Sequence, residues 1–181
     1  MSEKIFRTLY AKSLRYLGVR LRTEHEMRKK LDEWSEELIE KLLIDEAHNG
    51  EDQNDGDSAL RSVIERVVAQ LKREGFLNDE RFARNWVEGR VSRGRKGPAV
   101  IRVELIKKGL SSEVIEGALA EVMAHQKGGE EPIVKAANKY LPRLKGDTGS
   151  ASKSKMVQFL VRRGFKSIDA YRVVKELVGG C

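Results

Sequence analysis

The hexapeptide Leu105-Ile106-Lys107-Lys108-Gly109-Leu110 carries the pattern that decides the fold of this chain. The same order of leucine, three residues, glycine and an apolar residue recurs at 71–76 and 160–165, with two basic residues before each glycine. Cations are favoured at the negative end of a helix dipole, and glycine readily adopts the left-handed conformation that ends a helix. Each hexapeptide therefore predicts a helix end, and its recurrence predicts a repeated helical unit.

Apolar residues elsewhere follow helical spacing. The clearest patterns, with apolar side chains three and four residues apart, cover 6–17, 60–71, 114–123 and 133–144. No run of strict alternation between apolar and polar residues is bounded by hairpin turns. The spacing therefore predicts an all-α fold built from modules of three short helices.

Helix starts carry recognisable signals. Thr23 and Glu26 form a capping box, in which each side chain can accept a hydrogen bond from a free amide at the helix start. Two prolines suit first helical positions, and two serines are predicted caps. These residues are Pro98, Pro132, Ser112 and Ser167.

Charge is distributed unevenly over the 181 residues, which carry a net charge of +7. Residues 45–57 hold acidic but no Lys or Arg side chains and almost no apolar residue, which predicts a flexible acidic loop. Basic side chains dominate 81–108 and 153–175, the pattern expected of a protein that binds an anionic partner such as nucleic acid. The candidate contacts are Arg81, Arg84, Arg90, Arg93, Arg95, Lys96, Arg102, Lys107, Lys108, Arg162 and Arg163.

Several function classes are disfavoured. No apolar run approaches the length of about 18 residues that predicts a membrane span, and residues 1–10 lack the apolar stretch of a secretion signal. The single cysteine, Cys181, and three scattered histidines offer no metal-ligand spacing. The segment from Gly89 to Lys96 lacks the Lys-Ser/Thr pair of a phosphate-binding P-loop. We expect a cytoplasmic protein without metal, cofactor or enzymatic activity.

The aromatic residues could in principle stack on bases, but their positions favour packing. Phe82 and Trp86 lie four residues apart on one helical face, and Phe76 follows a predicted helix end. We therefore predict that Trp34, Phe76, Phe82 and Trp86 build the core.

Two stretches carry a resemblance to a known family. Leu77-Asn78-Asp79-Glu80-Arg81-Phe82-Ala83 and the segment from Arg93-Gly94-Arg95-Lys96-Gly97-Pro98 to Lys107-Lys108-Gly109-Leu110 resemble the bacterial RecX family. Looser similarity covers 11–31 and 155–177. Asn78 stands where the family usually has aspartate, which caps a helix about equally well.

Membership would imply three tandem three-helix repeats in an elongated, curved, solenoid-like molecule, here at 1–77, 78–125 and 126–181. Residues 35–57 look like an insertion in the first repeat, with an extra helix over 35–46 before the acidic loop. The resemblance also implies a regulator that binds the filament of the RecA recombinase on single-stranded DNA. We further expect a monomer that can also bind double-stranded DNA. It would restrain strand exchange, ATP hydrolysis and coprotease activity, and so act in DNA repair and the SOS response.

An alternative function is direct DNA binding by a helix-turn-helix, formed by 98–108 and 112–123. A recognition helix presents polar or basic residues near its start. Glu113 and Glu116 occupy that position here and would repel phosphates. This disfavours the alternative.

Overall fold

A computed structural model describes residues 2–45, 53–94, 96–125, 131–144 and 149–178. Every regular element among these residues is a helix, so the predicted all-α fold is confirmed. The chain divides into an N-terminal unit of residues 1–82 and a C-terminal unit of residues 83–181. No helix in the described part is long and apolar enough to cross a membrane. The described residues also contain no group of side chains suited to hold a metal ion.

The N-terminal unit is a three-helix module. Helices α1 (Ser2–Leu17), α2 (Glu24–Asp45) and α3 (Gln53–Arg73) pack against one another. Their helical apolar stripes meet in one core, in which the largest fully buried side chains are those of Leu9, Met27, Leu31 and Leu71. Helix α4 (Asp79–Val91) begins in this unit and continues into the next.

The C-terminal unit continues with two further groups of helices. Helix α5 (Pro98–Ile106) packs on α6 (Ser112–His125), and α7 (Pro132–Tyr140) contacts both α8 (Ser150–Arg162) and α9 (Ser167–Val178). A 3-10 turn, Leu141–Leu144, ends α7 where the sequence pattern predicts continuing helix. Core side chains come from α5 through Ile101 and Leu105 and from α8 through Met156 and Leu160. Packing thus joins α1–α3 in one group and α7–α9 in another, whereas the predicted repeat boundaries stay a prediction.

The three hexapeptides end their helices in the same way. The amide of the residue after glycine donates to the carbonyl of the leucine: Phe76 to Leu71 at 2.9 Å, Leu110 to Leu105 at 3.2 Å and Phe165 to Leu160 at 3.2 Å. The glycines adopt φ angles of 74°, 78° and 89°. This is the Schellman arrangement, in which a left-handed glycine satisfies otherwise unpaired carbonyl groups. The predicted helix ends at Gly75, Gly109 and Gly164 are confirmed.

The residue after glycine does not always return to the core. Leu110 and Phe165 are buried, but Phe76 is 45% exposed and Leu77 is buried in its place. The prediction that Phe76 packs inward was therefore wrong, because two apolar residues follow Gly75 and the chain turns the second one inward. Phe82 is buried, and Trp34 and Trp86 are half-buried.

Residues 35–57 also differ from expectation. Helix α2 runs without interruption to Asp45, so 35–45 prolong α2 and form no separate helix. Helix α3 begins at Gln53, which places the end of the predicted acidic loop inside a helix. Residues 46–52 lie outside the described part of the chain. Apolar positions farther along α3 pack in the core and sustain the helix despite its polar first turns.

The helix starts follow the predicted chemistry with two shifts. The capping box is formed, since the Glu26 amide donates to Thr23 Oγ1 at 3.1 Å and the Thr23 amide to Glu26 Oε2 at 3.4 Å. Ser112 and Ser167 are each the first helical residue rather than the cap. In α6 the capping hydroxyl belongs to Ser111, which accepts from the Val114 amide.

Asp79 connects α4 to the start of α2. The sequence predicts only a favourable charge at its own helix start, but its Oδ1 also accepts a hydrogen bond from the Glu24 amide at 2.9 Å. Burial raises the pKa of Asp79, against the lowering effect of that hydrogen bond, and Glu24 raises it further. The folded protein therefore binds a proton at Asp79 more readily than the unfolded chain does.

We expect Asp79→Ala to lower the free energy of unfolding by about 1 kcal/mol, the usual cost of losing a helix cap. Asp79→Asn keeps the acceptor oxygen and should stay within about 0.5 kcal/mol of the parent protein at pH 7. The pKa of Asp79 is higher in the folded protein than in the unfolded chain. The contribution of its titration to the free energy of unfolding is therefore largest at pH values below the unfolded pKa. That contribution is lost as the pH rises through the folded pKa. Urea unfolding of both variants at pH 4 and pH 7 measures their free energies of unfolding. Equal losses of stability in Asp79→Ala and Asp79→Asn would contradict the capping role.

Candidate nucleic-acid interface

Two of the predicted contact residues are paired with carboxylates of helix α6. Arg84 Nε lies 3.0 Å from Glu121 Oε2, and Arg102 Nη2 lies 2.9 Å from Glu116 Oε2. The hydrogen bond to Glu116 raises the pKa of Arg102, and the same bond lowers the pKa of Glu116. These arginines therefore already have a counter-charge inside the protein.

Glu104 collects a second group of predicted contacts. Its carboxylate accepts hydrogen bonds from Arg90 Nε at 2.9 Å, from Trp86 Nε1 at 2.9 Å and from Lys96 Nζ. Burial alone would raise the pKa of Glu104, but the hydrogen bonds from Lys96, Arg90 and Trp86 outweigh it and hold the pKa below its usual value. Glu104 is thus ionised at neutral pH and offsets part of the local positive charge.

Two cations lie close to the indole ring of Trp86. The Arg90 guanidinium lies 4.3 Å from the centre of the indole ring, and Lys108 Nζ lies 4.7 Å from it. Cation–π contacts of this kind stabilise both partners. Since these side chains already occupy the ring surroundings, the arrangement supports the prediction that Trp86 packs rather than stacks on a base.

The Gly97 region forms a joint with the turn that follows α8. The Gly97 amide donates to the Arg163 carbonyl at 2.6 Å, and the Ala99 amide donates to the Gly164 carbonyl at 3.2 Å. A helix start has unpaired amides and a helix end has unpaired carbonyls. Here carbonyl groups at the end of α8 accept hydrogen bonds from amides at the start of α5. This contact brings together the two basic stretches of the sequence.

Glycine is required on both sides of this joint by close approach. A Cβ on Gly97 would lie 2.5 Å from the backbone carbonyl carbon and oxygen of Gly164, and a Cβ on Gly164 would lie 2.6 Å from the Val100 amide nitrogen. Gly94 adopts a φ of 54°, and a Cβ there would meet the Lys135 side chain at 2.7 Å. Gly94 and Gly97 therefore serve backbone packing.

Helix α7 adds basic residues that the sequence analysis missed. Lys135 and Lys139 lie four residues apart on α7, and Lys139 Nζ donates to the Arg93 carbonyl. Arg143 follows in the 3-10 turn after α7. Residues four apart lie on the same helical face. The spacing itself was the available signal, but only the packing of α7 on the Arg93–Gly94 backbone relates it to the other cations.

We give the name joint cluster to the cations on the segments that meet at the Gly97–Gly164 joint and at the Lys139–Arg93 contact. Its members come from the loop before α5, from helix α7, from the last residue of α8 and from the turn that follows α8. They are Arg93, Lys135, Lys139, Arg162 and Lys166. No carboxylate in the described ranges forms an ion pair with any of them.

The remaining predicted contacts lie elsewhere. Arg81 donates to the Gly75 carbonyl at 2.9 Å in the N-terminal unit, where it supports the end of α3. Lys107 is exposed beyond the end of α5. The Arg163 guanidinium lies 4.9 Å from the Phe159 ring. Arg95 is outside the described residues.

Taken together, the fold and the basic surface define a class of protein: an all-helical array of three-helix modules with cations gathered on its C-terminal unit. A family model described as the RecX first three-helix domain matches residues 10–43, and one described as the RecX second three-helix domain matches 78–119. The chain belongs to the RecX family. This confirms the resemblance seen in the sequence.

Named relatives agree with this assignment. A protein named regulatory protein RecX from Lactococcus lactis subsp. cremoris is 30% identical over 158 residues, which cover 84% of this chain and 49% of the relative. One from Streptococcus uberis is 28% identical over 118 residues, covering 65% of this chain and 43% of the relative. The chain thus spans about half the length of these curated relatives.

Solved structures show the same fold. The crystal structure of RecX from Lactobacillus salivarius matches with a TM-score of 0.71 at 23% identity and covers 97% of both chains. A second structure, described as regulatory protein RecX, matches with a TM-score of 0.65 at 23% identity, covering 98% of this chain and 73% of the other.

Proposed function

We propose that this chain regulates the RecA recombinase by binding the RecA filament on single-stranded DNA and inhibiting its recombinase, ATPase and coprotease activities. Membership of the RecX family is the observation that carries this proposal, because the family resemblance implies that target. The basic C-terminal unit supports it, since a nucleoprotein filament exposes phosphates that its cations could neutralise. Under this proposal the protein acts in the cytoplasm as a non-enzymatic regulator.

The alternative, sequence-specific DNA binding by a helix-turn-helix, receives less support. Helices α5 and α6 are arranged in sequence as such a motif requires, but α6 begins with Glu113 exposed near its start. The next carboxylate, Glu116, is held by Arg102, which removes that arginine from the set of free base-reading side chains. Carboxylates near the start of a groove-reading helix would be repelled by the phosphates of the DNA.

An ATPase titration tests the proposal. RecA from the same organism is saturated with single-stranded DNA, and ATP hydrolysis is followed as this protein is added. We expect hydrolysis to fall at or below one molecule of this protein per RecA, because binding along or at the end of the filament affects many subunits. If saturating protein leaves the DNA-stimulated hydrolysis unchanged, the proposed function is wrong.

A matched control separates filament regulation from simple competition for DNA. The same amounts of protein are added to RecA filaments formed on a tenfold excess of single-stranded DNA. Regulation of the filament predicts inhibition that depends on the ratio of this protein to RecA. Inhibition that instead follows the ratio of this protein to total DNA, whatever the amount of RecA, would indicate sequestration of the DNA and contradict the proposal.

A further inference from the structure

The joint cluster differs in its electrostatic balance from four of the other basic residues that the sequence predicts as contacts. Arg84 and Arg102 each have a carboxylate partner, and Arg90 and Lys96 share Glu104. Arg93, Lys135, Arg162 and Lys166, in contrast, have no ion-pair partner within the described ranges. Cations that lack an internal counter-charge retain their attraction for an external polyanion.

The joint brings these cations together from separate parts of the chain. The Gly97–Arg163 hydrogen bond places the α8–α9 turn against the start of α5, and the Lys139–Arg93 contact places α7 against the preceding loop. These two contacts thus bring together the backbones of three segments that carry the cations. A linear polyanion that crosses the joint could meet several of them at once.

The neighbouring aromatic rings are not free to stack on bases. Tyr140 and Phe159 stack on each other with their centres 4.4 Å apart, Arg143 lies 5.8 Å from Tyr140 and Arg163 lies 4.9 Å from Phe159. Both rings are half-buried against the α7–α9 core. Because these two rings stack on each other, contacts to phosphates would dominate binding at the joint cluster, with little dependence on sequence.

From these observations we infer that the joint cluster is a binding site for the phosphate backbone of single-stranded DNA, and that the Gly97–Gly164 contact positions its two halves. The choice of single-stranded DNA as the polyanion rests on the proposed function. The location of the site is inferred from the cations without an ion-pair partner in the described ranges and from the Gly97–Gly164 contact between the segments that carry them. Gly97 and Gly164 are positioning residues, because they act by holding other side chains in place.

The first test removes charge without altering the joint. The variant R93Q/K135Q/R162Q removes three charges and keeps polar side chains, and a charge-matched control, K4Q/R15Q/K29Q, removes three exposed cations from the N-terminal unit. Binding to a fluorescent thirty-nucleotide oligo(dT) is measured by anisotropy over a range of salt concentrations. Because each phosphate contact contributes about 0.7 to the salt slope on single strands, we expect the slope to fall by about 2 and the affinity at 0.1 M salt by about a hundredfold.

The second test alters the joint without removing charge. Gly97 has a φ of −86°, which alanine adopts freely, so Gly97→Ala acts only by pushing its Cβ against Gly164. The matched control is Gly117→Ala on α6, where a Cβ would meet nothing within 4 Å. We expect G97A to retain its helical circular dichroism but to reduce the salt slope toward that of the triple glutamine variant, whereas G117A should keep the parent slope.

The outcomes distinguish the site from the proposed function. A parent-like salt slope in R93Q/K135Q/R162Q would overturn the site whatever happens to the RecA ATPase. The site would also be overturned if R93Q/K135Q/R162Q bound oligo(dT) normally but no longer inhibited RecA, since the joint cluster would then contact protein rather than DNA. If the slope falls as expected while the parent protein does not inhibit RecA, the site stands and the proposed function fails. Should G97A unfold, the charge variants still decide the question.

Discussion

Replacing Leu105 by alanine is expected to lower the free energy of unfolding by about 2–5 kcal/mol. The side chain is fully buried on α5, and its carbonyl accepts the hydrogen bond from the Leu110 amide that ends the helix. Removing the side chain leaves a cavity because the surrounding helices relax only in part. Urea unfolding followed by circular dichroism measures the loss.

The same helix supplies the control for this prediction. Val103 is 50% exposed on α5, so Val103→Ala removes few packing contacts and should change the free energy of unfolding by no more than about 0.5 kcal/mol. Comparable losses for L105A and V103A would show that α5 presents a different face to the core than the structure describes.

The second large effect is expected at Gly164, where two penalties coincide. Its φ is 89°, and a Cβ would lie 2.6 Å from the Val100 amide nitrogen. Left-handed backbone costs a residue with a Cβ about 1–2 kcal/mol, and forcing extra atoms into close packing costs about 1–3 kcal/mol more. We therefore expect Gly164→Ala to lower the free energy of unfolding by about 2–5 kcal/mol.

Gly75 isolates the first of these penalties. It ends α3 with a φ of 74°, and a Cβ there would meet nothing within 4 Å. Gly75→Ala should therefore cost only the backbone strain of about 1–2 kcal/mol. The difference between the two variants, measured by urea unfolding, reports the steric cost at the joint. A loss in G164A no larger than in G75A would contradict the close approach of the two backbones.

The fold was largely predictable because its signals are local. The apolar spacing of residues 6–17 and 60–71 predicts helices α1 and α3, and Thr23 with Glu26 predicts the start of α2. The position of a glycine predicts where each repeated helix ends. The two wrong predictions also have local causes. Phe76 and Leu77 compete for one inward position, and Leu77 occupies it. Helix propensity alone underestimates how far the packed helix α3 extends into polar sequence.

The candidate site was predictable in composition but not in arrangement. Clusters of Arg and Lys indicate an anionic partner, yet sequence proximity does not show which cations are neutralised. Glu104, Glu116 and Glu121 pair with residues 8–37 positions away. Lys135 and Lys139 were missed because they lie outside the two basic stretches and become relevant only through packing.

Sequence alone therefore determined the all-helical fold, the repeated helix ends and the excess of positive charge, because helix periodicity, glycine conformation and net charge depend on residues close together or on simple sums. Only the tertiary structure decided which charges have no ion-pair partner among the described residues and where a close backbone approach requires glycine at position 97. Both depend on contacts between distant segments, where the carbonyl groups at the end of α8 meet the amides at the start of α5.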